Sequence, residues 1–448
     1  MYEAENVKRS DQEKQKDGEG QPDSLVPSHA HSIDKEAGNS RDPYQAFRFR
    51  DFRLLFIGTL ISTIGEQMIS VAIGWELYDR TGSALVLGWV GLVQVIPVML
   101  LSLPAGHIAD RFNRKYIVIV AQVMLAMASL GLLALSFTRG SLLLIFGCLF
   151  LMGCAVAFNV PASTTLLPQV VPEHAFGNAA TWESSAWQLA SVLGPAMGGL
   201  IIALSSSATM VYGLNAGAAL IFAVLVMLMR LEWRTQRVER VSETTFRSLL
   251  EGIRFLWSSQ VLLAAITLDL FAVLLGGATT LLPIYAKDIL HVGPTGLGWL
   301  RAAPSIGAVG VSLALAHLPS FKKAGRTLLL TVAGFGVATY VFGVSRSFWL
   351  SLVMLCILGG LDNISVVIRH TLLLIRVPDA MRGRIAAVNN IFIGASNQLG
   401  GFESGLVAQL FGPVLSVAGG GIGTILVVVV VALLWPEMRR LGALSGTK

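Results

Sequence analysis

Gly106-His107-Ile108-Ala109-Asp110-Arg111-Phe112-Asn113-Arg114-Lys115 interrupts an apolar chain with one acid and three strong bases. The apolar run 85–108 leads into it and the run 116–137 leads away. Roughly 20 mostly apolar residues cross about 30 Å of hydrocarbon, so each run is long enough to span a bilayer. A short charged turn between two such runs reads as a hairpin of membrane helices.

Working outward, the same pattern recurs at 54–77, 142–162, 179–204, 210–229, 261–285, 297–318, 327–345, 349–373, 385–410 and 413–435, which gives twelve spans. Lipid offers no partner for open backbone groups and the runs exceed the length of barrel strands, so all twelve are expected to be helices. Composition agrees. Of the 448 residues 54% are hydrophobic and only 13% charged, about half the usual share, and mean hydropathy is +0.68. The three cysteines Cys148, Cys154 and Cys356 lie inside apolar runs without C-x-x-C spacing, so neither a disulfide framework nor a zinc site is expected.

The excess of bases encodes orientation. Counting Lys and Arg with the N-terminus inside, the inner segments hold 28 of the 33 and the outer loops only Arg80, Arg139, Lys287 and Arg346. Arg301 lies within a span. Both termini are therefore expected in the cytosol of a multi-pass inner-membrane protein. Residues 1–43, polar and without an apolar leader, read as a disordered cytosolic tail.

The charged stretch 230–260 separates six spans from six, and 437–448 reads as a second cytosolic tail. Sliding the half 44–229 onto the half 261–436 by 210 residues places Leu87-Gly88-Trp89 on Leu297-Gly298-Trp299, His107 on His317 and Gln188-Leu189 on Gln398-Leu399. The fold class expected is an all-α polytopic membrane protein built as two parallel six-helix repeats, with a substrate site near the midplane between them.

The opening stretch resembles the loop signature of the major facilitator superfamily, G-x-x-x-D-R-x-G-R-K, with Gly106, Asp110, Arg111, Arg114 and Lys115 in place. Only Asn113 departs, at a position where the family prefers Gly; Asn tolerates a left-handed backbone. The resemblance implies a cytosolic latch centred on Asp110. Its counterpart in the second half has decayed, with Ser320 at the place of the acid. Ala190-x-x-x-Gly194-Pro195-x-x-Gly198-Gly199 in span 5 is similar to the antiporter motif of exporters; small residues there let a neighbouring helix approach and the proline removes a ladder bond. The run from Arg376 through Arg382-Gly383-Arg384 and Asn389-Asn390 to Glu403-Ser404-Gly405, with Leu167-Pro-x-x-Val-Pro172, resembles a bacterial exporter branch that includes the enterobactin exporter. The span 4 arginine frequent in drug/proton antiporters is missing, since no Lys or Arg occurs between Arg139 and Arg230.

Charges within spans carry the chemistry, because each costs at least ~2.5–3.5 kcal/mol near the bilayer centre unless it finds a partner, water or cargo. Glu66 in span 1, Asp269 in span 7 and Asp362 in span 10 read as candidates for cargo contact or proton coupling, with structural hydrogen bonds as the plain alternative. Arg301 in span 8 and Glu403 in span 11 lie at similar depth and read as an interhelical pair, static or gating. Failing that, Arg301 is a candidate for an anionic cargo or for the missing span 4 arginine. Glu183 reads as interfacial, and Arg369 with His370 as snorkelling or loop-binding. Trp75, Trp89, Trp187, Trp299 and Met68 are possible cavity residues or lipid contacts.

No Gly-Lys pair exists, so a Walker A loop is excluded, and Gly419-Gly-Gly-Ile-Gly423 opens an apolar span without a preceding strand. The function expected is secondary active export of a small amphipathic molecule by proton antiport, with no enzymatic activity, cofactor, metal or nucleic acid, in a monomer whose partners are cargo, protons and lipid. A facilitator or importer of the same fold, and a non-transporting scaffold or sensor, are the rivals. If Asp110 is the latch, Asp110→Asn cuts transport while insertion and cargo binding persist; wild-type turnover in that variant, measured in vesicles, would refute it.

Overall fold

The computed structural model describes residues 42–230, 251, 254–257, 259–318, 321 and 323–442. The chain forms two compact units, residues 1–45 and 46–448. In the first, the described residues make a turn in which the Gln45 amide donates to the Asp42 carbonyl at 3.2 Å. Most of the expected 1–43 tail and 230–260 linker, the latch counterpart Ser320 and the end of the 437–448 tail lie outside the described residues.

The second unit is all-helical. Its long helices are α1 Arg50–Thr81, α2 Ala84–Arg111, α3 Arg114–Phe137, α4 Leu142–Thr164, α5 Glu173–Ser205, α6 Thr209–Leu228, α7 Gln260–Leu275, α8 Gly293–His317, α9 Ala324–Val344, α10 Phe348–Arg376, α11 Asp379–Phe411 and α12 Pro413–Leu434. Eleven membrane spans meet length and apolarity requirements among the described residues, one of them running from α7 through the broken segment to Ile289. The twelfth expected span is α11: it has the length, but Asn389, Asn390, Asn397, Gln398 and Glu403 dilute its apolar run.

Local chemistry sets the ends. Asn113 caps α3, its side chain accepting from the Lys115 amide at 3.0 Å. Its backbone is extended (φ −64°, ψ 112°), which corrects the expectation of a left-handed residue: the loop uses Asn as a cap, not as a glycine substitute. The α1 C-terminus closes on Gly82 at φ 60°, in the left-handed region where a Cβ is penalised. After α7 the chain does not run straight to α8. It passes through a short turn over Ala278–Leu281 and a π-turn over Tyr285–Ile289, which places Lys287 and Asp288 beyond the last turn of α1.

Packing repeats with a shift of six helices. The pairs α1–α5, α1–α6, α2–α4, α3–α4 and α3–α6 recur as α7–α11, α7–α12, α8–α10, α9–α10 and α9–α12. The two sets meet through α5–α8 and its repeat mate α11–α2. Both junctions are glycine contacts near the end bearing the 81–84 and 411–413 turns, the expected outer end. A Cβ on Gly405 would lie 2.8 Å from the Ala84 carbonyl oxygen and 3.0 Å from the Cα of Gly88. A Cβ on Gly298 would lie 2.5 Å from the Pro195 carbonyl oxygen, and one on Gly199 2.9 Å from the Cα of Gly298.

The α8–α10 crossing is similarly close. A methyl on Gly307 would overlap the Cys356 carbonyl oxygen, whereas nothing stands within 4 Å of one on Gly310 three residues on. Gly307→Ala is therefore expected to destabilise by ~1–3 kcal/mol through overpacking, while Gly310→Ala is neutral or stabilising because Ala favours a helix over Gly by about 1 kcal/mol. Thermal unfolding in detergent checks this, and equal melting temperatures for the two would refute the crossing.

Candidate transport site

On the inner side of the α5–α8 junction lies a cavity of about 470 Å³. Its α5 wall carries Ser184, Trp187, Gln188 and Ser191, and its α8 wall runs from Pro304 to Ser312. The α10 wall carries Gly359, Asp362 and Asn363. Trp187, 60% exposed, faces this space, which places one of the candidate aromatics at the cavity. The Asn363 amide pins α10 to α8 by donating to the Ala308 carbonyl at 3.0 Å and the Ser312 hydroxyl at 2.7 Å. Asp362 therefore sits at a fixed level on the wall.

Asp362 also lines a second, smaller cavity of about 10 Å³, room for about one water, together with Asp269, Thr331 and Ser365. Behind it Asp269 and Arg369 form a close ion pair, and both are nearly fully buried, at 7% and 9% exposure. Arg369 also donates from Nε to the Ser365 carbonyl at 3.3 Å. This corrects the reading of Arg369 as a snorkelling residue: seven positions after Asp362, two turns along α10, it shares the Asp362 face and turns toward α7. The missed signal was that spacing inside one apolar run.

Arg301 and Glu403 are not brought together. Among the described residues they form no ion pair, and the expected interhelical bond is replaced by a bond from the Ser404 hydroxyl to Glu403 at 3.5 Å, with Arg301 left without a protein partner. The reason is helix pairing. The face of α11 bearing Gly405 packs on α2, and α11 otherwise packs on α7 and α12, whereas α8 packs on α5 and α10, so Arg301 and Glu403 stand on helices that are not packing partners. Glu66 is half-buried on α1, one turn on from Ser62, whose hydroxyl donates to the Gln122 amide oxygen at 3.4 Å. Its neighbour Gln67 reaches the cavity residue Ser191 at 3.4 Å.

In the span 5 motif Gly194 lies against Ile64 and Gln67, and Gly198 against Met68, all on α1, while Gly199 and Pro195 meet α8. Met68 is thus buried in helix packing rather than in the cavity, and Trp89 packs edge-on against Phe402 at 5.0 Å. In the loop motif Lys115 reaches the Met227 and Met229 carbonyls at 2.9 and 2.7 Å, and Arg114 the Ala109 carbonyl at 3.4 Å. Arg111 is exposed, and the Asp110 side chain lies outside the described residues.

The expected outer end carries polar contacts that the sequence reading did not find. The Tyr78 hydroxyl donates to the Asp288 carboxylate, Lys287 pairs with Asp79 at 2.6 Å and lies 5.8 Å from the Tyr78 ring centre, and the Ser83 hydroxyl donates to Gln409 at 3.0 Å. A signal existed: Tyr78-Asp79 and Lys287-Asp288 stand at the ends of repeat-related spans, 209 positions apart. The Lys287–Asp79 pair is partly exposed, a class worth ~0–1 kcal/mol. Such a contact closes without locking.

The profile of a family described as transmembrane secretion effector matches residues 41–444. The enterobactin exporter EntS of Shigella boydii serotype 4 is 27% identical over 391 residues, 87% of this chain and 92% of that protein, and the EntS of Citrobacter koseri is equally similar over 390 residues. Among solved structures, a bacterial homologue of the lysosomal transporter Spinster, in an inward-facing and occupied conformation, superposes with a TM-score of 0.68 at 14% identity, covering 90% of this chain and 98% of that one. The nucleoside transporter NupG gives 0.67 at 12% identity over 88% and 100%. These superpositions establish the fold.

Removing one member of a buried ion pair strands the other, at ~3–5 kcal/mol, whereas removing both approaches neutrality. Asp269→Leu and Arg369→Leu are each expected to lower the melting temperature in detergent, and the double variant to recover most of the loss. Simple addition of the two losses would show that the pair is not a unit.

Proposed function

The chain belongs to the transmembrane secretion effector family of the major facilitator transporters, multi-pass membrane proteins that work as secondary transporters, and from that premise we propose that it exports a small amphipathic molecule in exchange for protons. The observation that carries this reading is the position of Asp362, which borders both the large cavity and the small one that leads to Asp269 and Arg369. One carboxyl thus touches the space for cargo and a buried charge pair. Protonation of Asp362 alters its attraction for Arg369 and its hydration of the cavity wall in one step.

The contacts between the two helix sets favour alternating access. Glycine junctions and the Asp79–Lys287 contact close the end expected to face outward, and the cavity lies on the other side of them. In an inner membrane with both termini cytosolic, the orientation that the basic loops favour, this is the stage at which cargo enters from the cytosol. The halves 44–229 and 261–436, joined by the linker 230–260, then rock about the α5–α8 and α2–α11 junctions. Protons taken up from outside by Asp362, with Asp269 or Glu66 as further carriers, permit the return stroke. The likeness to EntS supports export as the direction, and the apolar and aromatic wall supports an amphipathic cargo.

The test is purified protein in liposomes, with fluorescent amphiphiles screened for accumulation under an imposed pH gradient. Wild type is expected to accumulate cargo uphill; Asp362→Asn abolishes this and spares downhill exchange. Gradient-driven accumulation that survives in Asp362→Asn, Asp269→Asn and Glu66→Gln alike would leave proton coupling without a carrier and turn the reading to a facilitator.

A further inference from the structure

Arg301 is the one membrane-embedded arginine whose guanidinium the fold leaves unused. Among the described residues it makes no hydrogen bond and no ion pair, whereas Arg369 is held by Asp269 and Ser365. It is half-buried, and no fully buried side-chain nitrogen or oxygen among the described residues lacks a partner, so its donors are not completely sealed off. A helix with 100° between residues shows which space they border. The cavity positions of α8 are 304, 305, 308, 309 and 312, and 301 falls in the middle of the arc they cover, one turn toward the glycine junction.

The repeat gives an independent placement. Arg301 corresponds to Gly91, and a side chain on Gly91 would run into the Gln398 amide. The repeat mate of Gln398 is Gln188, which lines the cavity from α5. At the first junction glycine leaves room for the glutamine. By the same correspondence Arg301 is set opposite Gln188 at the second, one turn along α8 from Gly298, which meets the Pro195 carbonyl.

We propose that Arg301 recognises the acidic group of the cargo, and that the cargo is an amphipathic monocarboxylate. This rests on reading the α5–α8–α10 cavity as the cargo site. A guanidinium offers a planar fork that matches a carboxylate in two parallel bonds, in a site partly stripped of water. The remaining wall supplies Trp187 for an apolar or aromatic body and hydroxyls and amides for neutral polar groups. Asp362 limits the charge. Asn363 sets its level at Ala308, seven residues or about 10 Å along α8 from Arg301. A second acid reaching that depth would meet a carboxylate, so the cargo has its anion at the outer end only.

The experiment is equilibrium binding to the full chain in nanodiscs, without any gradient, using dansylglycine and its uncharged methyl ester. Wild type is expected to bind the acid about tenfold or more tightly than the ester. Arg301→Gln brings the two to equal affinity while ester binding persists, which shows the cavity intact, and Arg301→Lys retains part of the preference. Equal binding of acid and ester by wild type, or an undiminished acid preference in Arg301→Gln, would overturn the proposal. Should Arg301→Gln misfold, the wild-type ratio and the lysine variant decide. Acid binding that depends on Arg301 without pH-driven accumulation sinks proton export and leaves the anion site standing; accumulation with no dependence on Arg301 does the reverse.

Discussion

Backbone meeting backbone at Gly88–Gly405 and Gly298–Pro195 is the constraint from which the rest follows. Two helix sets can come this close only where neither carries a Cβ in the way. The contacts form near one end of the helices, so the walls separate below them and a cavity appears on the other side of the junction. Nothing in the lipid favours apolar helix surfaces meeting each other over meeting chains, so packing geometry, not hydrophobicity, holds the halves together. The polar contacts of Tyr78, Asp79, Lys287 and Asp288 lie at the same end, and the exposed Lys287–Asp79 pair among them adds little energy.

The frame was legible in the sequence and the pairings were not. Hydropathy located the long helices because bilayer thickness imposes a length, although α5 and α11 begin six residues before the expected runs and α7 ends at Leu275 where the expected run reached 285; the 210-residue offset matched Leu87-Gly88-Trp89 to Leu297-Gly298-Trp299, the glycines that make the junctions. Asp269 and Asp362, both singled out as in-span acids, line one small cavity. What depth cannot supply is rotation about the helix axis. Arg301 and Glu403 were matched by depth but stand on helices that are not packing partners, and Arg369, four residues inside its run, looked like an end residue although it shares the face of Asp362. Asn113 shows the same limit on a smaller scale: composition allowed a left-handed turn, and the chain used the side chain as a cap instead.

The charges separate into two kinds once the repeat is laid over them. Asp269 and Arg369 neutralise each other inside one helix set, and a pair within a body that moves as a unit survives every stage of a cycle. Asp362 is different, because its level is fixed by Asn363 while its carboxyl borders two cavities. It is placed to respond to what fills either one.

Duplication explains why chemistry is concentrated on one side of the frame. A doubled chain starts with two equivalent junctions, α2–α11 and α5–α8, and each needs its glycine and its small partner to close. Once Gly88 and Gly298 hold the geometry, the next turn is free to differ. Gly91 keeps the first junction tight against Gln398, whereas its repeat mate in the second half is Arg301. Asp362 falls on the uncharged Met152 and Arg369 on Asn159 by the same offset. The in-span charges Arg301, Asp362 and Arg369 thus stand where the repeat is broken, so the duplicated frame does not itself require them.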